Sequence, residues 1–146
     1  MKVAYPAIFT ETDTNILIEI PDLGILTEAN SEDEKKGNLA EAVAMARDAI
    51  GLHCILMEDK GEKLICSSRI QEIDATSSTF YEDGKTFVSI VDVDLFVYRQ
   101  KNDMKMVRRN VTLPNWLNRE AEAAHINVSR VLQEALMSKL NISKLI

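Results

Sequence analysis

RRNVTLPNWLNREAEAAHINVSRVLQEAL, residues 108–136, decides how this chain is read. Its first residues continue a strand that the alternation predicts over 106–113. Arg108, Asn110 and Thr112 then share one face, while Val107, Val111 and Leu113 share the other. Pro114 ends the strand and suits the first turn of a helix, where its missing N–H costs nothing. Asn127 is a good N-cap for a second helix, with Ser129 two residues on. Val128, Val131, Leu132, Ala135, Leu136 and Leu140 keep helical spacing and form one apolar stripe. A unit this small cannot bury that stripe alone, and a single strand leaves both edges open. Two copies solve both problems by pairing their strands and interlocking their helices. The polar strand faces then form one ribbon, of a width that enters a DNA major groove.

This pattern resembles the ribbon-helix-helix DNA-binding family, the fold of the MetJ and Arc repressors. The resemblance implies that Arg108, Asn110 and Thr112 read bases. It also implies that Asn127, Val128 and Ser129, at the second helix N-terminus, clamp a backbone phosphate with main-chain N–H groups. Arg109 departs from the pattern, because it falls on the inward strand face where an apolar residue is usual. A helical hairpin serving only as a dimer anchor is the plainer reading of the same residues.

Charge divides the chain in two. The net charge of the 146 residues is −6, which by itself argues against nucleic acid. Residues 105–146 carry seven Lys/Arg against three Asp/Glu, net +4, and residues 1–104 carry ten against twenty, net −10. Attraction to phosphate is local, acting over a Debye length of roughly 8–10 Å. A basic tail can therefore bind DNA while an acidic body faces a basic partner. Apolar residues make up 46% of the chain, enough for a packed core. No apolar run reaches the roughly 18 residues of a membrane span, and no signal-peptide pattern opens the chain. Cys54 and Cys66 stand apart, without a CxxC. Isolated thiols of this kind fit a reduced compartment, so a cytoplasmic protein is expected.

The body is expected to run from 1 to 100 and the tail from 105 to 146. Strands are predicted over 3–9 and 16–20, with a further short strand or loop at 23–26. Residues 31–37 form a charged loop. Asn38 caps a helix, with Glu41 completing a capping-box-like pair. Leu39, Ala42, Val43, Ala46, Ala49 and Ile50 keep its spacing to about Met57. A long polar loop follows over 62–84, with a short helix at 67–74. The alternation of TFVSIVDVDLFVY predicts one strand over 86–98, and 100–103 is a linker. Val91, Val93, Leu95 and Val97 take one face, and Asp92, Asp94, Phe96 and Tyr98 the other. The fold class is α+β: a β-β-(β)-α-β body followed by the strand-helix-helix tail.

YPAIFTETD, IEIPDLG, the helix LAEAVAMARDAIGLH and the strand VSIVDVDLFVY together resemble the N-terminal domain of HicB-type antitoxins. That family often continues PDLPG-C; here the chain reads PDLGILTEAN, so the middle of the motif differs. The resemblance implies a partial ribonuclease-H-like body, and a ribbon-helix-helix tail is a known companion of it. It further implies a type II antitoxin that neutralises a HicA-like, mRNA-cleaving toxin and represses its own operon. It implies a homodimer through the tail, with room for a higher oligomer. Such a toxin must be basic to hold RNA, so the acidic body is its electrostatic complement. Glu19, Asp22, Asp92 and Asp94, on or beside strands, are the candidate toxin contacts.

Other chemistry finds little footing. Asp92 and Asp94, with Glu19 or Asp22, are the residues that would hold a divalent ion in a ribonuclease-H-like site. Carboxylates two apart also decorate ordinary solvated strands, and neither a cofactor nor catalysis is expected. His53 and His125, each expected near a helix end, have no nucleophile at a recognisable spacing. Trp116 is expected in a dimer core. The rival function is a free-standing ribbon-helix-helix repressor whose body senses a small molecule.

Overall fold

The computed structural model describes residues 1–29 and 38–143. The charged loop expected at 31–37 lies outside them. The chain divides into two compact units, residues 1–103 and 104–146.

The first unit is a four-stranded antiparallel sheet with a long helix packed against it. Its strands are β1 (Lys2–Glu11), β2 (Ile16–Ile20), β3 (Ile25–Ala29) and β4 (Lys85–Asp94), in the order β3-β2-β1-β4. Residues 21–23 form a 3-10 turn between β2 and β3, closed by Gly24 with a positive φ of 63°. Helix α1 (Leu39–Asp59) starts at Asn38, whose side chain accepts a hydrogen bond from Ala40 N at 2.8 Å. That bond reaches the second helical residue, so the cap is a simple Asn cap and not the expected reciprocal box. The helix continues two residues beyond the expected end.

Register decides which side chains meet α1. Phe9 pairs with Ile18 on β2 and with Phe87 on β4, and Tyr5 pairs with Val91. This face buries Tyr5, Ala7, Phe9, Ile16, Ile18, Ile20, Val91 and Val93 against Ala42, Ala46, Ile50 and Cys54 of α1. Alanines at 42 and 46 let the helix axis approach the large β-branched and aromatic residues of the sheet. The Phe9 and Phe87 rings stack with centroids 5.2 Å apart, a geometry that adds to area burial.

Two expectations fail here for identifiable reasons. The strand expected to reach Tyr98 ends at Asp94, and helix α2 (Leu95–Asn102) follows at once. Asp94 Oδ1 accepts from the N–H groups of Phe96, 3.1 Å, and Val97, 3.3 Å. This N-cap outweighs an apolar alternation that runs on through the boundary. Residues 100–102 are therefore helix and not linker. The expected helix at 67–74 is instead a single 3-10 turn, Ile70–Glu72, followed by two more at Ala75–Ser77 and Tyr81–Asp83. All three turns pack on β4. Ile8 and Thr10, on the sheet face away from α1, are buried as fully as the main core.

The second unit holds α3 (Asn115–Ala123) and α4 (Val128–Lys139). Pro114 occupies the N-cap position, one place earlier than expected. Residues 103–114 carry no regular secondary structure in the single chain. A strand needs a hydrogen-bonded neighbour, and among the described residues of this unit there is no second strand to supply it. The strand expected at 106–113 is thus not formed in the isolated chain.

Candidate partner and nucleic-acid interfaces

The four acidic candidates on the body each hold an intramolecular contact. Asp22 accepts from Ser68 N at 2.8 Å and Ser68 Oγ at 2.6 Å. Glu19 accepts from Thr79 N at 3.1 Å and Thr79 Oγ1 at 3.3 Å. Together they tie the 62–84 segment to β2 and the turn after it. Asp92 forms an ion pair with Arg47 of α1 at 3.1 Å, and Asp94 caps α2. Sequence spacing alone could not reveal these partners, which for Asp22, Glu19 and Asp92 lie 46, 60 and 45 residues away.

Among the described residues, no group of three or more His, Cys, Asp or Glu is placed to hold a metal ion. Tyr5 Oη donates to the Ile65 carbonyl at 2.6 Å. Burial, with the Cys54 thiol beside it, pushes its phenol up to about 12. Burial also raises the Cys54 thiol, which keeps it protonated and unreactive. His125 is not in the last turn of α3, but in the link to α4 with a positive φ of 53°.

Helix α2 is clamped to α1 through two adjacent residues, Tyr98 and Arg99. Tyr98 Oη donates to Asp48 Oδ1 at 2.8 Å. Arg99 donates to Glu58 at 3.0 Å, to Asp59 at 2.9 Å and to the Ile55 carbonyl at 3.3 Å. These contacts fix the outer surface of α1, a surface the sequence reading passed over. Its inward residues recur at 42, 46, 50 and 54. Outside them lies a second apolar stripe, Met45, Ala49, Leu52 and Leu56, at spacings of four, three and four. Met45, Leu52 and Leu56 are 39%, 48% and 49% exposed. The signal was present as a second helical periodicity in LAEAVAMARDAIGLHCIL.

In the second unit, Arg108, Asn110 and Thr112 are all exposed and lie in the irregular stretch before α3. Asn127 caps α4, its Oδ1 accepting from Arg130 N at 3.1 Å. Val128 is half-buried and Ser129 exposed, at the first turn of that helix. Neither α3 nor α4 buries a single residue. Trp116 is 67% exposed, and Val131, Leu136 and Leu140 also lie open. An apolar surface of this extent on so small a unit marks an association face.

The sheet with its long helix and the unburied helical pair define a two-unit chain with an exposed apolar association face. The chain belongs to the HicB-like antitoxins of bacterial toxin–antitoxin systems, whose family model matches residues 5–137. It is similar to a chain of a toxin–antitoxin complex from Streptococcus pneumoniae, at 22% identity and a TM-score of 0.58, covering 95% of this chain and 99% of that one. It is also similar to the antitoxin HicB of Burkholderia pseudomallei, at 21% identity and a TM-score of 0.48, covering 94% and 98%. None of the curated proteins matches this chain. No helix among the described residues is long and apolar enough to cross a membrane.

Proposed function

We propose that this antitoxin neutralises a small, basic, mRNA-cleaving toxin with its first unit and represses its own operon with its second, in the cytoplasm. The observation that carries this reading is the division of charge and burial between the units. The first has a complete core and net charge −10 over residues 1–104. The second has no buried residue in its helices and net charge +4 over residues 105–146.

In this reading two copies of residues 106–113 pair as an antiparallel ribbon, and α3 and α4 of each copy interlock. Pairing supplies the missing ladder partner and covers Trp116, Val131, Leu136 and Leu140. Arg108, Asn110 and Thr112 then lie on the ribbon face that enters the major groove, where an Arg–guanine contact reads sequence. The N–H groups at Val128 and Ser129 hold a phosphate at the N-terminus of α4. Toxin neutralisation is occlusion: a protein covering the RNA surface of a nuclease blocks its substrate without chemistry of its own.

The test is co-expression with the small basic product of the neighbouring gene. That product alone should arrest growth, this chain should relieve the arrest, and the two should copurify. A neighbour that is harmless alone, or that fails to copurify, would contradict the reading.

A further inference from the structure

We infer that the toxin docks on the outer face of α1, with Met45, Leu52 and Leu56 as its apolar centre and Glu41 and Asp48 as its acidic rim. The inference rests on the antitoxin reading above and deepens it by naming the surface.

Three observations lead there. Among the described residues Met45, Leu52 and Leu56 stand exposed although α1 is otherwise well used: its opposite face fills the core, and α2 is clamped along another side. Single exposed apolar residues need no explanation, but three large ones in register along one helix do. The helix is also held rigid by Tyr98 and Arg99, so the stripe is presented without an ordering cost on binding.

Charge decides the occupant. On a helical projection at 100° per residue, Glu41, Asp48 and Asp59 lie along one flank of the stripe. Asp59 on that flank is neutralised by Arg99, 2.9 Å away, so Glu41 and Asp48 carry its charge. A second copy of this unit would bring the net charge of −10 over residues 1–104 against its own kind. Like charges facing across an interface oppose association. A basic partner gains from the same arrangement. A shallow groove of about 360 Å³ continues the surface beside Met45, lined by Ala29, Glu41, Ala44 and Asp48. It ends at carboxylates, which suits a Lys or Arg from the partner. The strand carboxylates Glu19, Asp22, Asp92 and Asp94 lie off α1 and hold intramolecular contacts of their own.

The experiment uses the full chain and the basic product of the neighbouring gene, with affinity measured by calorimetry. Leu52→Asp should weaken toxin binding by roughly thirty-fold or more, as expected for a central apolar contact. Its thermal midpoint and its operator binding should stay at wild-type values. Leu52→Ala, a milder change, should give a smaller loss and guards against misfolding of the first variant. Glu41→Lys should slow association in low salt. Toxin affinity unchanged in Leu52→Asp and Leu52→Ala would overturn the proposal. So would a halved assembly mass with unchanged toxin affinity, which would assign the stripe to a second copy. A wild-type chain that does not bind the neighbour at all would sink the antitoxin reading itself, and this inference with it.

Discussion

The ring of Tyr98 occupies the space that a side chain on Gly51 would need: a Cβ built on Gly51 lies 2.5 Å from Tyr98 Cδ2. A glycine in the middle of α1 is ordinarily unfavourable by about 1 kcal/mol relative to alanine. Here it lets α2 close on α1 and brings Tyr98 Oη to Asp48. Gly51→Ala should therefore destabilise the first unit by about 1–2 kcal/mol, because overpacking outweighs the gain in helix propensity. In a Tyr98→Ala background the same change should become stabilising. Urea unfolding of the four variants of this cycle measures both signs. Destabilisation by Gly51→Ala in both backgrounds would mean the ring is not the obstacle.

Alkali should loosen the first unit. Tyr5 and Tyr98 both have phenols pushed up to about 12, chiefly by burial, with the Cys54 thiol adding for Tyr5 and the Asp48 carboxylate for Tyr98. A raised folded value means the stabilisation is complete below the ordinary phenol value near 10 and is lost as pH rises toward 12. Thermal midpoints should hold to about pH 9–10 and fall above it. Tyr5→Phe and Tyr98→Phe should each flatten that fall. A tyrosinate absorbance titration in which every tyrosine ionises near 10 would contradict the assignment.

Much of this was legible in local signals. Asn127 and Asn38 cap the helices they were expected to cap, and the inward spacing of α1 and the pairing of residues 16–20 follow from periodicity. What was missed depended on distance or on competition. The alternation VDVDLFVY runs unbroken through the end of β4, and only the two N–H groups that Asp94 captures end it. An Asp just before an apolar run was the available clue. The 62–84 segment has no pattern of its own, since its place is set by Glu19 of β2 and Asp22 of the turn after it. Gly84 fits there because a Cβ would collide with the Glu11 carbonyl, another contact between remote residues.

The strand carboxylates should act on stability more than on toxin binding. Asp94→Ala removes the cap of α2 and should cost about 1 kcal/mol. Asp22→Asn should release Ser68 and speed proteolysis within 62–69 in limited digestion. Asp92→Asn breaks an ion pair whose partners are both more than half exposed, so its effect on stability should be small. A loss of toxin affinity in Asp92→Asn larger than in Leu52→Asp would return the toxin contact to the strand face.

Arg108 should separate specific from general DNA binding. A bidentate guanine contact discriminates by roughly 1–3 kcal/mol per base. Arg108→Ala should weaken operator binding by at least ten-fold while changing random-sequence binding much less, and toxin neutralisation should persist. Equal losses on operator and random DNA, measured by fluorescence anisotropy at one salt concentration, would place Arg108 on phosphate instead.

The most direct test of the two-unit account is the mass and binding of the chain with and without residues 104–146, by sedimentation equilibrium and operator gel shift. The full chain should be at least a dimer and bind its operator. The shortened chain should be largely monomeric, fail to bind DNA and still bind the toxin. A shortened chain that remains fully dimeric and retains operator binding would contradict the account.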